Sequence, residues 1–238
     1  MREGPRNTTF PFIGMEDDDE DSTGLHLWSL AGVLKAILVQ YPGLYQSKSV
    51  LELGCGSNPV TLAIKATCDT TIVVADYQPK AIDRVRCLPD FIAASFIQAQ
   101  VFDWSVDKLS QPVDVIVASE ILYYAVDIDA LFRCVYSMLK PSGIFILVSQ
   151  QRGTVMRSMR DASIACHLSL HLYDIFAYEY QVLKSGIPLG SYPILAIMTH
   201  QIESLLICEY LQLSNFKLSV EDLINAEETP EEFVFPDL

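Results

Sequence analysis

The chain has 238 residues, of which half are apolar and 19% are charged, and its formal net charge is −14. This composition is typical of a globular protein, and the length allows one large domain, or one domain with an insertion, to bury a sizeable core. We expect no membrane-spanning helix, since no window reaches about 18 uninterrupted apolar residues, and no signal peptide, since the first ten residues lack an apolar segment.

The negative charge is concentrated at the two ends of the chain. Residues 1–21 contain seven acids and two bases, residues 221–238 contain seven acids and no base, and the remaining 16 acids and 14 bases nearly cancel. We predict an acidic disordered tail over 1–21, which alternatively helps to attract a basic protein substrate. A nucleic-acid surface is not expected, because phosphate binding requires clustered Lys and Arg.

Cysteine and histidine spacing gives no sign of a metal site. The six cysteines are scattered without CxxC spacing, which favours buried thiols in a reducing compartment: the cytoplasm, with the nucleus as an alternative. His167 and His171 would share one face of a helix, as metal ligands do, but no acid or thiol at suitable spacing completes a site. We therefore predict no bound metal.

From residue 22 to residue 150, apolar strands alternate with amphipathic helices. Fully apolar strands separated by helices are typical of a parallel sheet covered on both faces. The sequence therefore predicts an α/β domain with a doubly wound, mostly parallel sheet. The predicted elements are a helix at 25–39, a strand at 49–53, a helix at 60–66, a strand at 71–75, a helix at 79–87, strands at 95–101 and 113–118, a helix at 127–139 and a strand at 143–148.

The regular alternation ends after Gln150. We interpret 151–199 as an extended connection inserted on the substrate side of the domain, because long loops at the rim of such a sheet commonly bind substrate. A helix at 201–213 and a strand at 215–219 complete a domain that covers 22–220. The acidic segment 221–238 contains a further candidate edge strand at 233–235.

The first strand ends in a glycine turn, in the sequence SVLELGCGSNP at 49–59. Gly54 allows the chain to reverse at positive φ, and Gly56 removes a side chain where a ligand approaches the backbone. The helix predicted after Pro59 would point free N–H groups at that ligand. Cys55 lies within the turn and is interpreted as a small packing residue, not a nucleophile. Strand, glycine turn and helix together indicate a nucleotide-binding unit, although Asn58 replaces a third glycine.

Acidic and aromatic residues follow the predicted strands at the edge where ligands bind in this architecture. Asp76 can accept both hydroxyls of a ribose, or alternatively can cap the helix at Pro79. Asp103 and Trp104 suit the exocyclic amine and the face of an adenine, or alternatively form an ordinary turn. Glu52 closes the first strand and could face the ammonium group of a ligand.

These motifs resemble those of the class I S-adenosylmethionine-dependent methyltransferases, and within them the protein-lysine methyltransferases that modify calmodulin, elongation factors and chaperones. VLELGCG at 50–56 is similar to the first motif of the family, and the helix from Gly24 through Trp28 to Leu34 is similar to the opening helix of that group. Glu120-Ile121-Leu122-Tyr123 resembles its acid-x-x-aromatic motif. The resemblance covers about 22–150 and implies a seven-stranded Rossmann-like sheet, with S-adenosyl-L-methionine as cofactor.

The resemblance also implies a role for each residue of the site. Glu120 and Tyr123 would be the catalytic residues that line the entrance for the acceptor side chain. The residues implied to bind the cofactor are Trp28, Glu52, Gly54, Cys55, Gly56, Asp76, Tyr77, Asp103, Trp104 and Ser119.

The implied activity is methyl transfer to a protein side chain, lysine first, with histidine as the alternative acceptor. The implied partner is a protein substrate of basic character, acted on by a monomer. Two other functions remain open from the sequence: a methyltransferase acting on a small molecule, with 151–199 as a lid, and a cofactor-binding interaction module without turnover.

Overall fold

A mixed sheet forms the centre of the protein in the computed structural model, which describes residues 29–64, 69–122, 126–150, 155–178, 183, 193–200, 209–221 and 223–224. Within these residues the sheet has eight strands: β1 Ser49–Leu53, β2 Thr71–Asp76, β3 Ile97–Val101, β4 Val113–Ser119, β5 Leu139–Gln150, β6 Leu168–Asp174, β7 Pro193–His200 and β8 Lys217–Leu218. The α-helices are α1 Ser29–Gln40, α2 Pro79–Arg86, α3 Pro89–Ala93, α4 Ile128–Met138, α5 Val155–Ala165 and α6 Ile175–Tyr178.

The strand order is β3-β2-β1-β4-β5-β7-β6-β8. Strands β1 to β5 pair in parallel, whereas β7 is antiparallel to β5 and β6, and β8 is antiparallel to β6. The prediction of a doubly wound, mostly parallel sheet is confirmed, with one short strand more than the seven expected.

Alternating side chains of the strands face two separate cores. Val50 of β1 lies in a core with residues of α1 and α2, whereas its neighbour Leu51 lies in a second core with residues of α4 and α5. Helices therefore cover both faces of the sheet, which explains why the middle of β4, 115–118, is apolar and buried throughout. Among the described helices, none is both long and apolar enough to cross a bilayer.

The interpretation of 151–199 as a connection was wrong where the structure describes that range. It contains α5, β6, α6 and β7, and both strands belong to the central sheet. The period of two in β6 places Leu168, Leu170 and Leu172 against the second core, and the alternation with Ser169 and His171 is the strand signal that the interpretation as a connection did not use. β7 begins at Pro193, and proline is tolerated at the first residue of a strand.

Two further helical predictions also need correction. The helix predicted at 60–66 is a 3₁₀ helix of four residues, Val60–Ala63, and Ile64 after it is already extended, with φ −73° and ψ 128°. His167 and His171 do not share a helix face, because His171 lies in β6 and His167 lies in the turn before it with φ 55°. The described residues contain no group of three or more His, Cys, Asp or Glu side chains arranged to hold a metal ion. The predicted tail at 1–21, most of the helix at 201–213 and the strand at 233–235 lie outside the described residues.

A polar network ties β1, β4 and β5 together at the amino ends of the strands. Asp114 accepts hydrogen bonds from the main chain and hydroxyl of Ser49, at 2.9 and 2.6 Å, and from Nζ of Lys140 at 2.8 Å. Burial raises the pKa of Asp114, but the hydrogen bonds and charge of Lys140 and the bonds from Ser49 outweigh it, so the pKa lies below its usual value. The carboxylate therefore stabilises the fold at neutral pH.

Asp114→Asn should lower the free energy of unfolding by about 1–2 kcal/mol at pH 7, because the ion pair and one acceptor are lost. A group with a depressed pKa stabilises above its unfolded pKa, and that stability is lost as pH falls through the folded value. The difference between wild type and variant should therefore shrink below about pH 4. Chemical denaturation across pH measures it, with the exposed Asp161→Asn as control, and an unchanged stability at pH 7 would contradict the assignment.

Candidate functional site

The carboxyl ends of β1, β2 and β4 meet at one edge of the sheet. Leu53 of β1 pairs with Ala75 of β2 on one side and with Ala118 of β4 on the other. The next residues, Gly54, Asp76 and Ser119, therefore lie side by side. The chain leaves β1 toward β2 on one side and returns through β4 on the other, so this edge is the switch point where open α/β sheets bind ligands.

The glycine turn after β1 depends on both of its glycines. Gly54 has φ 63° and Gly56 has φ 57°, a left-handed conformation that side chains disfavour. A Cβ on Gly54 would lie 2.5 Å from Cγ2 of Ile121 and 4.0 Å from Trp104. Gly54 is thus enclosed by residues that follow β3 and β4. Position 54 therefore requires glycine for two reasons: its positive φ and the lack of space for a side chain.

Asp76 holds the middle of the turn against the end of β2. Its side chain is buried; Oδ2 accepts the main-chain N–H of Gly56 at 2.9 Å, and Oδ1 accepts that of Gln78 at 2.9 Å. The main chain of Cys55 adds a bond to the carbonyl of Ala75 at 3.0 Å. The helix after Asp76 begins at Pro79 and has Gln78 at its N-cap without a side-chain cap bond. Asp76 therefore serves the turn, and the alternative of a helix cap is not what its contacts show.

Glu52 is buried beneath the turn and contacts the 3₁₀ helix that follows it. Oε1 accepts the N–H of Val60 at 2.9 Å, and Oε2 accepts the N–H of Thr61 at 2.9 Å and the Thr61 hydroxyl. The N–H groups that were expected to point at a ligand are therefore bound to Glu52. Sequence reasoning missed Thr61, because a threonine nine residues after a strand acid carries no recognisable signal.

Burial raises the pKa of Glu52 to about 7, against the hydrogen bonds from Thr61 and Val60 that lower it, and the charge of Asp76 raises it further. Burial, together with the charges of Glu52 and Asp76, also raises the pKa of the Cys55 thiol well above its usual value. A thiol that stays protonated is a poor nucleophile. Cys55 therefore acts here as a packing residue.

The raised pKa of Glu52 predicts a specific pH dependence of stability. Below pH 4.5, the ordinary pKa of a glutamic acid, Glu52 is protonated in both the folded and the unfolded chain. Between pH 4.5 and about 7 only the unfolded chain loses this proton, so the free energy of unfolding falls as pH rises. The loss levels off above pH 7 at an order of 3 kcal/mol. Glu52→Gln should remove this fall of the unfolding free energy with pH, whereas the control Glu209→Gln, at an exposed position, should keep it. Chemical denaturation at several pH values measures the dependence. The same pH dependence in wild type and Glu52→Gln would contradict the assignment.

Asp103 and Trp104 follow β3 on the side of the turn that faces α4. Oδ1 of Asp103 accepts the main chain and hydroxyl of Ser105 at 2.8 and 2.6 Å, and these bonds lower the pKa of Asp103. Trp104 is half-buried and packs against the second core near Gly54. Asp103 and Trp104 thus form a turn, which was one of the two alternatives from the sequence. The same turn places a carboxylate and an indole beside the glycine turn.

The residues after β4 form the opposite wall of the site. Glu120 is buried, has φ 55°, donates its N–H to the carbonyl of Val148 at 2.9 Å and accepts the N–H of Gln150 at 3.4 Å. A left-handed non-glycine residue at a strand end is a strained conformation of the kind that accompanies functional sites. Ile121 and Leu122 after it are buried and give this wall an apolar surface.

Three other predicted site residues differ in how much the structure says of them. Tyr77 is 40% exposed beside Asp76, and its hydroxyl accepts a hydrogen bond from Gln78 Nε2 at 3.0 Å. Trp28 and Tyr123 lie outside the described residues.

Comparison with known proteins bears on this arrangement. The sequence model of a family described as a methyltransferase domain matches residues 30–186. The chain belongs to this methyltransferase family. The match spans β1 to β6, which includes the glycine turn and every described strand end that forms the site.

Curated relatives resemble part of this methyltransferase domain. The protein N-terminal and lysine N-methyltransferase EFM7 of Cryptococcus neoformans is 27% identical over 132 residues, which are 50% of this chain and 44% of that protein. The mouse protein-lysine N-methyltransferase EEF2KMT is 26% identical over 119 residues, 43% of this chain and 36% of that protein. The chain thus matches less than half the length of these relatives.

A solved structure shares the fold. The geranyl diphosphate C-methyltransferase of Streptomyces coelicolor, crystallised with Mg²⁺, geranyl diphosphate and S-adenosyl-L-homocysteine, covers 72% of this chain and 81% of its own with a TM-score of 0.52 and 14% identity. At this identity the likeness shows the methyltransferase fold alone.

Proposed function

We propose that the chain is an S-adenosylmethionine-dependent methyltransferase that transfers a methyl group to a protein side chain, lysine first and histidine as the alternative. The observation that carries the proposal is the glycine turn that Asp76 holds at the switch point between β1 and β4. Family membership supports the reaction class, and the partial similarity to two protein-lysine methyltransferases supports the acceptor.

The residues at the site fit this cofactor. The turn with two left-handed glycines offers main-chain groups to the methionine part of the cofactor. The buried carboxylate at the end of the neighbouring strand offers acceptors for the ribose hydroxyls. The acid beside an indole offers a hydrogen-bond acceptor and a flat stacking surface to the adenine. In this proposal Asp76 holds the ribose, with Tyr77 alongside the adenine. Asp103 and Trp104 contact the adenine from the other side.

Positioning supplies most of the catalysis in this proposal. When bound, the cofactor supplies an electrophilic methyl carbon on a sulfonium, so the protein needs chiefly to align the acceptor and exclude water. The backbone at Gly54 and Gly56 orients the reacting end beside Ser119. Buried Ile121 and Leu122 keep water from the wall of the site.

Glu120 and Tyr123 would line the entrance for the acceptor, with Trp28 as a wall toward the opening helix. A carboxylate at Glu120 would hold the ammonium group of a lysine and raise its pKa, so the proton of that ammonium must leave through water or Tyr123 before attack. No general base is assigned.

The partner in this proposal is a basic segment of another protein, and the enzyme acts as a monomer without nucleic acid. Charge supports the partner, because Asp107 is exposed next to Asp103 and Glu120 lies at the wall of the site. We place the protein in a reducing compartment, the cytoplasm or the nucleus, because its six cysteines are scattered without CxxC spacing.

Glu120→Gln should lower the rate of methyl transfer about 10–100-fold, because the charge that holds the acceptor is lost. Its affinity for S-adenosylhomocysteine should stay within about threefold of wild type, since the acceptor and not the cofactor contacts this group. The assay is incubation with methyl-labelled cofactor and a cell lysate, with Glu209→Gln as the control. A labelled protein band supports the proposal; label only in small solutes would replace it with a small-molecule methyltransferase, and no label would favour a module without turnover.

A further inference from the structure

Glu52 contacts the backbone that a ligand-binding turn must hold still. Its carboxylate lies at the end of β1, and its hydrogen-bond partners lie eight and nine residues later at Val60 and Thr61. The chain between them, 54–59, is the glycine turn itself. Glu52 therefore connects the start and the end of the loop that the proposed cofactor would contact.

Two acids fix this loop at different points. Asp76 binds the N–H of Gly56 in the middle of the loop, and Glu52 binds two N–H groups at its far end. Val60 and Thr61 are both buried, so without Glu52 their N–H groups would be buried donors without acceptors. Such donors are costly, and the loop would shift to expose them to water.

We infer that Glu52 is a positioning residue for cofactor binding, which acts by holding the 54–59 backbone in the conformation that the cofactor contacts. Its two carboxylate oxygens are directed at Val60 and Thr61, so it does not take the role of facing a ligand's ammonium group. The inference rests on the proposed cofactor site. Glu52 itself would not contact the cofactor; it would act on cofactor binding through the backbone of the turn.

Glu52→Gln tests this inference with little change of volume. The new amide presents an N–H₂ group to one of the two main-chain N–H groups, so one of them loses its acceptor. We expect the dissociation constant for S-adenosylhomocysteine, measured by calorimetry on folded protein, to rise about 10–100-fold, the effect of a loop freed at one end. Thr61→Val removes only the hydroxyl contact and should raise it less than about fivefold.

Asp114→Asn is the matched control, because it loses a partly buried acid and its hydrogen bonds at the opposite edge of the sheet. It should lower the melting temperature yet leave the affinity for S-adenosylhomocysteine unchanged. If Glu52→Gln binds as tightly as wild type, or if Asp114→Asn weakens binding as much, the inference is overturned. If wild type itself does not bind, the proposed function fails, which is a distinguishable result.

Hydrogen exchange keeps the inference testable should Glu52→Gln fail to fold. In unliganded wild type, the amides of Val60 and Thr61 should be protected, because they are already bonded to Glu52. Added S-adenosylhomocysteine should then increase protection chiefly at the amides of 54–58, since Pro59 has no amide N–H. Exchange of the Val60 and Thr61 amides at the rate of an unfolded peptide would overturn the inference.

Discussion

Gly54→Ala should lower the free energy of unfolding by about 2–5 kcal/mol and remove measurable binding of S-adenosylhomocysteine. Two effects add at this position. A left-handed φ of 63° costs an alanine about 1–2 kcal/mol, and a Cβ placed 2.5 Å from Cγ2 of Ile121 forces a shift that costs about 1–3 kcal/mol. The shift moves the turn itself, so binding suffers together with stability.

A second substitution separates these two effects. Ile121→Leu removes the branch at Cβ, so the double variant Gly54→Ala with Ile121→Leu should recover the steric part of the loss and leave the conformational part. Ile121→Leu alone is the control for packing. Thermal unfolding and calorimetric titration of all three variants give the answer; a Gly54→Ala protein that binds as wild type does would show that the turn is not a ligand site.

Asp76→Asn should weaken binding of S-adenosylhomocysteine at least about 100-fold, since two charge-assisted hydrogen bonds to a ribose are worth about 1.5 kcal/mol or more each. The amide also presents N–H₂ to the N–H of Gly56 or of Gln78, both of which Asp76 now accepts. The turn should therefore loosen as the ligand contact is lost.

Competition with nucleosides identifies which part of the loss belongs to the ribose. In wild type, adenosine should compete with S-adenosylhomocysteine and 2′-deoxyadenosine should compete less well, whereas in Asp76→Asn the two should be equal. Asp161→Asn, an exposed acid on α5, controls for the loss of one charge. Equal competition by both nucleosides in wild type would contradict a ribose contact at Asp76.

Of the first five strands, β1, β2, β4 and β5 could be predicted from the sequence because each contains a short apolar run. β3, Ile97–Val101, could be predicted because its apolar residues alternate with two glutamines, which is the period of two of a strand. The second half of the sheet could not be predicted in the same way. In β6 the leucines alternate with Ser169 and His171, which is the period of two of a half-buried strand, but the run follows a helical segment directly and was interpreted as part of a connection. In β7 a proline stands at the first position, where it does not break a strand.

In the candidate site, too, some residues could be predicted from the sequence and others could not. Asp76, Asp103 and Ser119 could be found because residues that follow parallel strands meet at one edge whatever the details of packing. The contacts of Glu52 could not, because they depend on where the chain goes after Pro59. A strong helix was expected there, and the four-residue 3₁₀ helix that forms instead turns two N–H groups back onto the acid.

Calorimetric titration of the wild-type chain with S-adenosylhomocysteine tests the central claim most directly. We expect one site per chain, with micromolar affinity and competition by S-adenosylmethionine. A folded protein, shown by a cooperative thermal transition, that gives no binding heat and no shift of that transition with S-adenosylhomocysteine would contradict the assignment of the glycine turn as a cofactor site.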